Sequence, residues 1–96
     1  MREDLRLAVL EVLAAADPDD DLNTSIVRKA LDDLGLRPSA DQQRAAIAWL
    51  DEQGLITVVA LSRSVSRMHL TERGLDVAEG RAAVPGVARP GPVDAL

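Results

Sequence analysis

Ninety-six residues with a net charge of −5, no cysteine and one aromatic residue, Trp49, describe a single small domain with an aliphatic core. The cysteine count excludes disulfides and thiolate metal sites, and no apolar run approaches the roughly 20 residues of a membrane span. Acidity opposes general nucleic-acid binding, which draws mainly on Lys and Arg, so any DNA-facing surface is expected to be local.

The first helix is expected over residues 2–16. Leu5, Val9, Val12, Leu13 and Ala16 form one apolar stripe at helical spacing, and Leu7, Leu10 and Ala14 form a second on roughly the opposite side. A helix apolar on two sides is covered from two directions. Two readings of the second stripe stand: a C-terminal helix of the same chain covers it, or it is the interface of a homodimer. Arg6 and Glu11 interrupt the stretch, so no signal peptide is expected. Pro18 then breaks the helix inside the acidic run of residues 17–21. Asp17, Asp19 and Asp21 have the spacing of a calcium loop. That loop needs Gly at its sixth position and Glu at its twelfth, where this chain has Leu22 and Arg28, so a solvated acidic connector is expected.

Asn23 can cap a second helix, with Leu22 and Val27 as a hydrophobic staple and Ile26, Val27, Ala30, Leu31 and Leu34 as its buried face. Gly35 ends it, and the short turn to Pro38 sets up a helix-turn-helix pair. Ser39 caps a third helix, with Gln42 completing a capping box. Its inward side is Gln43, Ala46, Ile47 and Leu50; Asp41, Arg44, Ala45, Ala48 and Glu52 face outward. If that helix enters a DNA groove, Arg44 can contact guanine or phosphate and Gln42 adenine. The bland alternative is an ordinary solvated face. Trp49 sits on the flank, expected either to fill the gap between this helix and a following hairpin or to anchor a protein partner.

Gly54 ends the third helix, and residues 55–61 and 65–71 read as two strands around a turn at residues 62–64. Met68 and Leu70 are expected to face the core. Arg63 at the tip and Arg67 on the outer face then give this hairpin two positive charges suited to phosphates. His69 has no ligand partner nearby and reads as a half-exposed strand residue. Thr71 can cap a last helix over residues 72–82, with Leu75, Ala78 and Ala82 on one side. The expected fold is mainly α with a small β-hairpin, a winged helix-turn-helix of order α-α-α-β-β-α over residues 1–83. Residues 84–96 form a Pro/Gly-rich C-terminal tail, either mobile or laid along a partner or the domain itself.

Leu22-Asn23, Trp49-Leu50-Asp51-Glu52-Gln53-Gly54-Leu55, the run from Leu70-Thr71-Glu72-Arg73-Gly74 to Arg81, and Val84-Pro85-Gly86-Val87 resemble a family of small proteins of Mu-like transposable phages and prophages, often described as ArsR-like or winged-helix. The resemblance implies a bacteriophage origin and a winged-helix fold. Metal sensing of the ArsR kind is not carried over, because it uses cysteine, histidine and carboxylate clusters.

Residues 1–33 hold nine acids against four bases, whereas residues 34–70 hold Arg37, Arg44, Arg63 and Arg67 against three acids. Arg37, Gln42, Arg44, Arg63 and Arg67 are therefore the candidate contacts to double-stranded DNA in a phage regulator. Leu7, Leu10, Ala14 and Trp49 are the candidate protein interface. The competing reading is an acidic winged-helix module that engages a phage or host protein without DNA. Neither a nucleophile–base pair nor a Gly-rich phosphate loop is visible, so no enzyme, cofactor or bound metal is expected. The expected setting is the bacterial cytoplasm.

Overall fold

The computed structural model describes residues 2–16, 22–63 and 65–90. The acidic connector at residues 17–21, Ser64 of the expected turn and residues 91–96 of the tail lie outside them. The described chain is mixed α/β: α1 (Arg2–Ala15), β1 (Leu22–Asn23), α2 (Thr24–Asp33), α3 (Ala40–Glu52), β2 (Ile56–Ala60), β3 (Ser66–Leu70) and α4 (Glu72–Ala78). One strand more than expected is present. β1 pairs antiparallel with β3, Leu22 opposite Met68 and Asn23 opposite Arg67, and the sheet order is β1-β3-β2. Asn23 already holds the extended backbone of an N-cap (φ −94, ψ 169), which is also strand geometry, so β3 can pair with it.

The caps that begin each later helix act as the sequence dictates. Ile26 N donates to Asn23 Oδ1 at 2.9 Å. Ser39 and Gln42 make the reciprocal capping box, Gln42 N donating to Ser39 Oγ at 3.0 Å and Ser39 N to Gln42 Oε1 at 2.8 Å. Gly74 N donates to Thr71 Oγ1 at 3.0 Å. α3 ends in a Schellman arrangement: Leu55 N donates to Leu50 O and Gly54 N to Asp51 O, both at 3.0 Å, with Gly54 at φ +74. The same closure stops α4 at Ala78, short of the expected residue 82, since Gly80 takes φ +82 and Arg81 N returns to Asp76 O.

α1 is the spine of the core. It packs against α2, α3, α4 and β3, and Leu5, Leu7, Ala8, Val9, Leu10 and Leu13 are all buried. Leu7 and Leu10 therefore do not present a dimer seam; both belong to the chain's own core, and Ala14 is partly buried against it. Val84 and Val87 are buried in the same cluster, and Ala88 N donates to Glu3 O at 3.2 Å, so residues 84–90 lie along the domain.

α2 buries less than its pattern suggested. Val27 and Leu31 are fully inside, but Ile26 and Leu34 are 49% and 61% exposed. The helix packs against α1, β1 and β3, and only a narrow stripe of it finds cover. α3 buries Gln43, Ala46, Ile47 and Leu50, the expected set. In the hairpin Ile56 pairs with Leu70 and Ala60 with Ser66, which turns Met68 into the core and leaves Arg67 and His69 exposed.

Candidate nucleic-acid interface

The α2–α3 pair is fixed by one buried polar residue. Gln43 is 5% exposed; its Nε2 donates to Thr24 O at 3.1 Å, and its Oε1 accepts from Arg28 Nη1 at 3.4 Å. Arg28 Nη2 also donates to Pro38 O at 2.9 Å, tying α2 to the turn before α3. On the other side Ser66 N donates to Thr24 Oγ1 at 3.4 Å, which joins the start of α2 to β3. These bonds set the start of α2, the flank of α3 and the hairpin around a common hollow.

That hollow is a groove of about 330 Å³, lined among others by Thr24, Ser25, Arg28, Arg44, Arg63 and Ser66. Among its described lining residues none is acidic. Three arginines from three separate segments thus line one concavity in a chain of net charge −5. Walls that carry cations and no described acid concentrate field of one sign, which suits an anionic group.

The sequence-derived candidates divide on this geometry. Arg44 and Arg63 both line the groove. Arg44 also forms an exposed (i, i+3) ion pair with Asp41. Gln42 is committed to the cap, where its Oε1 accepts from Ser39 N. Arg37 is exposed in the α2–α3 turn with a left-handed backbone (φ 42), and Arg67 is exposed on the outer side of β3; neither lines the groove. Arg28 was missed, because the acid-rich first third of the chain hid it. Its signal was a position one helical turn after Thr24 at the start of α2, which points it toward the same side.

The expected place of Trp49, between the third helix and the hairpin, is corrected. Its ring lies instead beneath Arg6 of α1, whose Cζ is 3.9 Å from the ring centroid. Arg6 Nη1 donates to Gly86 O at 2.9 Å, and a Cβ on Gly86 would stand 2.6 Å from the Trp49 ring. Burial, then the nearby charge of Arg2, push the Arg6 guanidinium below its ordinary value, with Glu3 opposing. A second, wider groove of about 1070 Å³ runs beside this stack, between the start of α1 and the outward side of α3. Its walls carry both signs: Arg2 and Arg6 against Glu3, Asp41 and Glu52. α3 therefore separates a basic groove from a mixed one.

The sequence has relatives over nearly its whole length. It is 47% identical over 92 residues to "Uncharacterized protein gp26" of Escherichia phage Mu, covering 96% of this chain and 93% of that protein. The chain belongs to the family of phage Mu gp26. A protein of Haemophilus influenzae is 40% identical over 73 residues, 76% of this chain and 70% of its own length. No protein-family model matches, and no solved structure is significantly similar. A Mu-like phage origin follows from the first match, in line with the resemblance drawn from the Trp49–Leu55 and Leu70–Arg81 segments. Among the described residues no helix is long and apolar enough to cross a membrane.

Proposed function

We propose that this gp26 relative is a winged helix-turn-helix protein that binds double-stranded DNA, as a regulator or accessory of a phage DNA transaction. The observation that carries the reading is the meeting of Arg44 from α3, Arg63 from the β2–β3 hairpin and Arg28 from α2 in one groove without a described acidic wall. α2 and α3, locked through Gln43, act as the helix-turn-helix pair, and β2–β3 act as the wing. The duplex backbone lies across the basic groove, with α3 alongside it. The test is an anisotropy titration of a labelled duplex at low salt. Binding that weakens about tenfold or more in an Arg44→Ala/Arg63→Ala variant supports the reading, since each phosphate contact contributes to affinity. Absence of binding to any duplex at low salt sinks it.

A second reading, a protein-binding module, draws on the mixed groove beside the partly buried Trp49. Charge reversal at Asp41 and Glu52 distinguishes the two. It abolishes capture of a protein partner docked in that groove, but it strengthens DNA binding.

A further inference from the structure

Resting on the DNA-binding reading, we infer that this protein holds duplex DNA through its phosphates, independently of base sequence. Few groups on the outward side of α3 could read bases. A glutamine reads adenine with its carbonyl and amide together, but the Gln42 carbonyl accepts from Ser39 N at 2.8 Å within the capping box. Arg44 is the one cation on the outward side of α3 and is paired with Asp41. The rest of that side is Ala45 and Ala48 between two carboxylates, Asp41 and Glu52.

Eleven positions of helix put those carboxylates about 16 Å apart. Both would meet the negative potential of a major groove if α3 were inserted along its length. The cations lie instead on the α2 and hairpin flank. Such an arrangement favours a duplex laid against the flank of α3, contacting backbone, over one that receives α3 in its groove. Contacts to phosphate position a protein without distinguishing sequences.

Fluorescence anisotropy on the full chain tests this with three labelled 24-base-pair duplexes, AT-rich, GC-rich and mixed, beside a selection from a random-sequence duplex library. The expected dissociation constants agree within about threefold, and the log–log salt slope is about −3, one counterion for each of the three groove arginines. Arg63→Ala flattens that slope by about one, and Arg63→Lys, which keeps the charge, restores it. A selected motif bound about 100-fold tighter than its shuffled version overturns the inference but leaves the DNA-binding reading standing. Failure to bind all three duplexes at low salt overturns both.

Discussion

The guanidinium of Arg6 stands over the ring of Trp49, Cζ 3.9 Å from the centroid, and joins α1 to α3 and to the C-terminal segment through Gly86 O. A cation on an indole face and one hydrogen bond to a carbonyl are together worth about 1–2 kcal/mol. Arg6→Ala should lower stability by that amount in urea titration. Trp49 is the sole aromatic residue, so its emission reports the change directly and should shift red as the ring gains water. Hydrogen exchange at the Ala88 amide, which donates to Glu3 O, should accelerate in the same variant. Unchanged emission and unchanged Ala88 protection would rule out the stack as the clasp of this segment.

Gly74 makes a sharper prediction. A Cβ at this position would lie 2.0 Å from Leu55 O, the carbonyl that already accepts from Thr71 N at 3.1 Å and Thr71 Oγ1 at 2.9 Å. The first turn of α4 is thus pressed onto the strand-side end of α3, where Arg73 Nη1 also donates to Gln53 O at 2.7 Å. Backbone cannot give way cheaply, so Gly74→Ala should cost at least the 1–3 kcal/mol or so typical of overpacking. Gly35→Ala is the comparison. Its Cβ meets nothing within 4 Å, and only the left-handed backbone (φ +83) is penalised, at about 1 kcal/mol. Equal losses for the two alanines would contradict the close-approach argument.

The parts legible in the sequence were those decided within a few residues. Ser39 and Gln42 announce their capping box, Gly54 its left-handed stop, and Thr71 its cap, because each depends on neighbours in the chain. The inward set Gln43, Ala46, Ile47 and Leu50 follows from helical spacing alone. What escaped depended on distant partners. β1 is two residues long, too short for any alternation, and exists because β3 is there to pair with it. The Trp49 site is made by Arg6 and Gly86 from the two ends of the chain, and no local pattern records that meeting. Ile26 and Leu34 look like core by spacing, yet α2 touches its neighbours along a strip too narrow to include them. For the groove, Arg44 and Arg63 could be named singly, but only the packing of α2 beside the hairpin adds Arg28 and brings the three together.

Two adjacent glutamines should behave differently. Gln43→Ala removes the partner of Thr24 O and an acceptor of Arg28 from a buried site, a loss of about 1–3 kcal/mol. Because it also loosens Arg28, duplex binding should fall with stability. Gln42→Ala loses only one of the two exposed bonds of the capping box, about 1 kcal/mol or less. Its DNA affinity should stay within about twofold of the parent, as expected if this side chain supports the helix end and reads no base. Denaturant titrations paired with anisotropy measure both quantities. A large affinity loss confined to Gln42→Ala would return that residue to the recognition surface.

Asp41→Asn separates the folding role of a charge from its effect on binding. In the folded chain Asp41 sits in the first turn of α3, where a carboxylate suits the helix dipole by about 0.3–1 kcal/mol. Its ion pair with Arg44 is exposed, with side chains 88% and 71% accessible, and adds little to stability. The substitution should therefore cost about 1 kcal/mol or less in folding. Its effect on DNA has the opposite sign, because it removes a negative charge near the bound phosphates and releases the Arg44 guanidinium. A unit charge about 7 Å from a phosphate in water contributes about 0.6 kcal/mol, or roughly threefold in affinity. Duplex binding at low salt should thus tighten about threefold. The part of that gain that comes from releasing Arg44 should disappear in Asp41→Asn/Arg44→Ala, while the long-range part remains. A variant that folds normally but binds DNA no more tightly would mean that Asp41 lies away from the phosphate path, and the duplex would then have to cross the groove nearer Arg28 and Arg63 than Arg44.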